Sequence, residues 1–359
     1  MEPWVHIPLA SLLCVKFFVA RSTLSLLHIP SLLEKEGRSV RRAFFLTMII
    51  CVAAMIVQNP WTTTYIHELR HMTVAKQSDP LYIQITERAK QYNIPAQNAK
   101  IDAVWKAIPG YNGLVVDVEA SYKQMKRNGT FSEQQLVYKQ VSPSIHLSDL
   151  PPSPVYRGHP DKPMVSFLIN VAWGSEHIPS MLHILEKYNV RATFFLEGRW
   201  VKENPQLAKM IADAGHEIGN HSYNHPDMKT MSKQAIREQI VKTNDAIEAA
   251  TGIKPRLFAP PSGSYRDDVV YIAHELGMYT ILWTVDTIDW QKPAPSVIVE
   301  RVTTKVHNGA MILMHPTVST VKALQPLIQS LQKQEYVIDN VSTLLSEERI
   351  VKSRRKGLD

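Results

Sequence analysis

Cysteine is almost missing from this 359-residue chain: Cys14 and Cys51 are the two it has, both inside apolar N-terminal runs. That excludes a disulfide framework or a cysteine zinc site as organiser of the folded part. Any metal would have to be held by His, Asp or Glu. A long apolar run is missing too. The stretch Ala43 to Val57 (AFFLTMIICVAAMIV) is fifteen residues without a charge, whereas a hydrocarbon core of ~30 Å asks for about twenty. Net charge is missing from the body of the chain. The formal charge is +7, yet residues 71–348 hold 28 Lys or Arg against 28 Asp or Glu. The excess lies at the ends, net +3 over Met1 to Arg70 and net +4 over Arg349 to Asp359. Nucleic acid is therefore not an expected partner. The basic tail, residues 349–359, reads as a solvated end able to touch an anionic polymer or membrane surface.

What is present has a clear order. Arg38 to Arg42 (RSVRR) stand before the apolar stretch. A basic segment followed by an apolar one makes residues 38–58 either a secretory signal or an uncleaved signal anchor. The expected location is outside the cell membrane, anchored or secreted, with the membrane as partner through this segment. Residues 1–37 form an N-terminal extension whose run Val5 to Ala20 reads either as a second membrane-associated segment or as an upstream stretch not made in the cell. Residues 79–140 predict a small α/β module with helices over Leu81 to Tyr92, Ile101 to Ile108 and Glu119 to Arg127, and a strand over Leu114 to Val118. Nothing in it has catalytic spacing. Ser142 to Pro163 carry six prolines in twenty-two residues and predict a semi-extended linker that holds the next domain away.

Beyond the linker, strands and helices alternate. Strands are expected over Met164 to Trp173, Ala192 to Glu197, His216 to His221, Arg256 to Pro261, Thr280 to Asp286 and Ala310 to His315, each followed by a helix. Such β/α units predict a barrel-like α/β fold with its site at the C-terminal ends of the strands. His221 and His225, in HSYNH, follow one strand at a spacing that lets two imidazoles face one divalent ion from a turn of helix; alone, such a pair is commonplace. His315 closes ILMH, and DTIDW (Asp286 to Trp290) follows TILWTV. A carboxylate bonded to one imidazole nitrogen fixes the tautomer of a proton-donating His, while one of Asp286 and Asp289 is expected to cap the next element. Trp173, Trp200, Tyr223 and Trp290 lie near strand ends, where aromatics either stack on sugar rings or simply pack.

The order ATFF, EIGNHSYNH, LFAPPSGSY, WTVDTIDW, ILMH resembles the NodB-homology polysaccharide deacetylases, carbohydrate esterase family 4, over residues 163–345. It looks closest to their sporulation-associated branch. The resemblance implies a distorted (β/α) barrel, an acetylated cell-wall polysaccharide as partner, and metal-dependent hydrolysis of its N-acetyl groups with a divalent metal, zinc foremost. By motif it places His221 and His225 as metal ligands, His315 as general acid, Asp289 as its carboxylate partner, and Trp290, Pro260 and Pro261 as substrate wall. The other half of the pattern departs. Asn170 and Val171 stand where the family has two aspartates, Ala259 where it has an arginine, and Ser262 at a tyrosine position. Asn cannot accept a proton at neutral pH, and Val has no lone pair for a metal. The loop AWGSEHIP offers Glu176 as replacement base or metal ligand and His177 as third ligand; the alternative is a solvated pair capping the following helix. Three functions follow: a deacetylase with altered base chemistry, a pseudoenzyme that binds cell-wall glycan, or a membrane-tethered scaffold acting through residues 79–140.

Overall fold

The computed structural model describes residues 33–350. The readings for Cys14, for Val5 to Ala20 and for the tail beyond residue 350 fall outside the described residues. The described residues fall into two compact units that divide after Ser78.

The first unit contains α1 (Leu33–Gln58), which carries the Ala43 to Val57 run, and α2 (Pro60–Gln77). Phe45, Ile49, Ile50 and Met55 are exposed. Among the described residues no helix is long and apolar enough to cross a membrane.

The second unit begins with α3 (Pro80–Ala89), β1 (Lys100–Asp102), β2 (Lys106–Ile108), β3 (Gly113–Val116), α4 (Val118–Met125) and β4 (Tyr138–Val141). Leu81, Ile85, Tyr122 and Met125 join α3 and α4 in a small core. The expected helix over Ile101 to Ile108 is instead the β1–β2 hairpin. Its apolar residues do recur at helical spacing, but the Asp102 side chain accepts hydrogen bonds from the backbone of Val104 and Trp105, both at 2.8 Å. That local turn, with Lys106 left-handed at φ 58°, outcompetes a helix.

The larger part runs β5 (Met164–Val171), α5 (Ile178–Lys187), β6 (Thr193–Leu196), α6 (Gly198–Glu203), α7 (Pro205–Asp213), β7 (Glu217–Asn220), α8 (Lys233–Thr251), β8 (Leu257–Phe258), α9 (Asp267–Glu275) and β9 (Tyr279–Thr280). It ends with β10 (Val285–Asp286), α10 (Pro295–Lys305), β11 (Met311–Met314), α11 (Val318–Lys333), β12 (Val337–Ile338) and α12 (Val341–Leu345). The strands form one parallel sheet in the order β10-β11-β5-β6-β7-β8-β9, with β12 beside the start of β5. The expected strand over Thr280 to Asp286 is therefore two: β9 pairs with β8 at one edge, β10 with β11 at the other. Residues 281–284 carry the chain between the edges, which curls the sheet into the distorted, barrel-like form that the resemblance implied.

Pleating sorts the side chains. Val165, Phe167, Ile169 and Val171 of β5 pack with α5, α7 and α11, while Met164 and Leu168 share the inner cluster with Phe195, Leu257, Ile281 and Met311. Ser232 caps α8 at its start and the left-handed Gly252 ends it.

The proline-rich stretch does not hold anything away. Val155 is fully buried and its N–H donates to the Thr280 carbonyl at 2.8 Å, while its own carbonyl receives the Leu282 N–H. It also bridges to Lys106 of β2, and Gly158 donates to Gly309 at 2.8 Å. The prolines leave these N–H groups free to pair, so the segment fills the gap between the sheet edges and binds module and barrel into one unit.

Candidate functional site

At the C-terminal ends of the strands lies a cavity of about 460 Å³ lined by Asn170, Trp173, His221, His225, Trp283, Trp290 and His315, with Ala172, Ser262, Asp286 and Leu313 completing it. Each wall comes from a different strand end.

His221 follows β7 and is 1% exposed. Its Nδ1 lies 2.8 Å from the Ala259 carbonyl oxygen. A carbonyl only accepts, so Nδ1 carries the proton and Nε2 keeps its lone pair. Burial, then the neighbouring His225, holds the imidazole down to about 3, so it is neutral in ordinary conditions. His225 stands 5.1 Å away between ring centroids, and burial by the protein on one side lowers it as well. The two are presented by a tight loop and not by the turn of helix expected, since Ser222 and His225 both have left-handed backbones at φ 62° and 56°. Asn220 fixes that loop: its Nδ2 donates to the Ile240 carbonyl and to Asn244 Oδ1, and its Oδ1 receives the Ser222 N–H, each at 2.8 Å.

His315 follows β11. Its Nδ1 donates to Asp289 Oδ1 at 2.8 Å and its backbone N–H to Oδ2 at 2.6 Å. Thr320 Oγ1 donates to the same Oδ2 at 2.5 Å. Asp289 is fully buried, so all its charge is directed at these donors. Asp286 takes the turn-forming role instead, receiving the Ile288 N–H at 2.8 Å. Trp173 lies flat against His315, with centroids 5.8 Å apart and planes 7° from parallel. Gly174 allows this contact. It is left-handed at φ 79°, and a Cβ there would sit 2.1 Å from the Pro316 carbonyl oxygen, so only glycine brings the loop onto the residues after His315.

The expected residues divide. Asn170, His221, His225, His315 and Trp290 converge on the cavity, with Asp289 behind His315. Val171 does not: it is fully buried in the helix-side layer, because its side chain alternates outward from that of Asn170. Glu176 and His177 stand outside the residues lining the cavity; Glu176 is 73% exposed at its side chain and pairs with His177 at 3.5 Å. Pro260 and Pro261 are buried beneath the loop and not on the wall, where Ser262 stands. Trp200 is buried, its indole donating to Ser175 Oγ at 2.9 Å, and Tyr223 also lies off the cavity. Trp283, the first residue of WTVDTIDW, is a wall residue that the sequence did not single out for that role. It lies in the break between β9 and β10 and packs against the inner cluster that contains Ala259, a contact no local pattern announces.

A divalent ion needs three or more firm donors in such a barrel. Among the described residues no three His, Cys, Asp or Glu side chains are grouped to hold one. Asn170 is 4% exposed and its Oδ1 is buried without a hydrogen-bond partner, but an amide oxygen carries no charge to offset that of the ion. The donor set does not fit a resident metal.

Residues 157–281 match the family model for polysaccharide deacetylase. The chain is 55% identical over 303 residues to the uncharacterized protein YlxY of Bacillus subtilis, across 84% of this chain and 95% of that one. It is 31% identical to the peptidoglycan-N-acetylmuramic acid deacetylase PdaA of the same organism, across 54% of this chain and 75% of that one. The crystal structure of BA3943, a CE4 family pseudoenzyme from Bacillus anthracis, is similar with a TM-score of 0.72 at 58% identity, covering 76% of this chain and 97% of that one. A mutant of BA3943 described as having restored enzymatic activity superposes as well, with a TM-score of 0.72 at 57% identity over 75% of this chain and 99% of that one. With strand order, strand-end histidines and relatives in agreement, the chain belongs to the polysaccharide deacetylases of the NodB-homology group, carbohydrate esterase family 4.

Proposed function

We propose that this chain binds acetylated cell-wall glycan in the strand-end cavity without hydrolysing it. The observation that carries the reading is Asn170. Deacetylases of the family generally depend on a divalent metal, and the end of β5 is where the resemblance calls for the base and the third ligand. Here that end offers a neutral amide to the cavity and a valine to the helix layer. An amide takes no proton from water at neutral pH, and Ala259 leaves no arginine to orient a base. The glycan-facing parts are kept: an open cavity with Trp173 and Trp290 at its rim, 47% and 55% exposed, suited to stacking on sugar rings. The place of action on this reading is outside the cell membrane, where peptidoglycan lies. The sporulation link implied by the branch resemblance belongs to the same proposal.

One observation favours hydrolysis as second reading. The His315–Asp289 pair is fully assembled and could protonate a leaving amine, with Glu176 supplying the base after a loop shift.

The test is calorimetric titration of the chain with an acetylated chitooligosaccharide and with a peptidoglycan fragment, alongside gel filtration with equimolar zinc. Saturable glycan binding with no zinc retained is the expected result. Absence of binding to either glycan overturns the receptor reading. Retention of one zinc per chain, with acetate released and lost in Glu176→Ala, supports hydrolysis.

A further inference from the structure

Resting on the receptor reading, we infer that the cavity recognises the acetamido group of the glycan directly, Asn170 donating to the acetyl carbonyl and a strand-end imidazole accepting the acetamide N–H, with no metal between them.

Asn170 is almost completely buried, its Oδ1 has no hydrogen-bond partner, and it lines the cavity. Buried amides in folded proteins are nearly always paired, and one left unpaired is destabilising. Polar groups in that state at a cavity wall are explained when a ligand completes them. With no hydrogen bond fixing its Oδ1, the amide can turn about χ2 and exchange Oδ1 for Nδ2, so the wall can present a donor to a ligand oxygen.

The shape of the ligand group fixes what must face Asn170. A secondary amide is trans, so its N–H and C=O point to opposite edges. Donor and acceptor must therefore come from two sides. Asn170 stands at the end of β5, and His221 follows β7, with β6 between them. The Nδ1 of His221 is committed to the Ala259 carbonyl, which leaves Nε2 as an acceptor, as the acetamide N–H requires. His225 shares that side of the cavity and offers the second imidazole. A carboxylate at position 170 would repel the acetyl oxygen; asparagine is suited to hold it. The residue whose change deprives the site of a base thus gives it a reader of the same group.

A hydroxyl in place of the acetamide removes both partners at once, and sites built on buried hydrogen bonds discriminate strongly against such analogues. The test is titration of the full chain in EDTA with fully N-acetylated chitotetraose and with cellotetraose, an equally neutral analogue carrying hydroxyls in place of the acetamides, on wild type and on Asn170→Ala. Wild type is expected to prefer chitotetraose by at least about tenfold. In Asn170→Ala the preference should fall to within about threefold, with an unfolding temperature no lower than wild type, because an unpaired buried amide has been removed. Equal binding of the two sugars by wild type overturns the inference while leaving the receptor reading intact, whatever the folding of the variant. A preference present only when zinc replaces EDTA also overturns it. Failure of both sugars and of peptidoglycan fragments to bind is the failure of the receptor reading itself.

Discussion

Asp289 organises the polar side of the cavity. Three donors end on it: the His315 imidazole, the His315 backbone and the Thr320 hydroxyl. Asp289→Ala would strand all three in a buried site, at a cost of about 3 kcal/mol or more, measurable by urea unfolding; a loss under ~1 kcal/mol would mean water replaces the carboxylate. Gly174 is constrained by space. Gly174→Ala meets both the left-handed backbone and the Pro316 carbonyl, so a destabilisation of roughly 2–4 kcal/mol is expected, with weaker binding of chitotetraose as Trp173 leaves His315. At this scale the sequence was readable where motifs named a residue by type, as for His221, His225, His315 and Asp289. It misled where the direction of a side chain mattered. Asn170 and Val171 are neighbours in one motif, but the pleat turns one into the cavity and the other into the helix layer.

Among the elements, β5, β6, β7, β8 and β11 were legible because each is a short apolar run followed by a helix, whereas Thr280 to Asp286 reads as one strand and is divided between β9 and β10 at opposite edges. The β1–β2 hairpin was not legible either. Ile101, Val104, Trp105 and Ile108 repeat as on a helix, and a single aspartate decides otherwise by bonding the two N–H groups that follow it. Asp102→Ala should therefore lower the urea midpoint at unchanged m-value. A neutral effect would assign the hairpin to its pairing with Val155 alone. That pairing was equally illegible, since nothing near Val155 in the chain announces Ile281 as its partner.

For the whole molecule, the integration of residues 79–350 into one unit predicts one cooperative unfolding transition for that segment; two separated transitions would make the module independent. Buried histidines set how this unit responds to acid, and two of them lie away from the cavity. His159 and His216 are buried, each held down to about 4 chiefly by burial, and each accepts a backbone N–H at Nδ1, from Asp161 at 3.1 Å and Ala192 at 3.2 Å. A proton on either acceptor breaks its bond. Unfolded, both take up protons near the ordinary value of about 6.5, so the unfolded state binds more protons between pH 6.5 and about 4. Stability is present above that window and falls as pH drops through it, by at most roughly 3 kcal/mol per pH unit for the two together. Unfolding temperatures from pH 7 to 5 check this: a flat profile would mean the two rings are protonated in the fold.

On the proposed receptor reading, the strand-end cavity keeps a wall for glycan and has neither a base nor, among the described residues, a donor set for a metal to cut it. The most direct measurement is acetate release from chitotetraose by the wild-type chain with zinc in excess. No release above a protein-free control, under conditions where calorimetry shows the sugar bound, is the predicted result. Steady release that disappears in His221→Ala would contradict it.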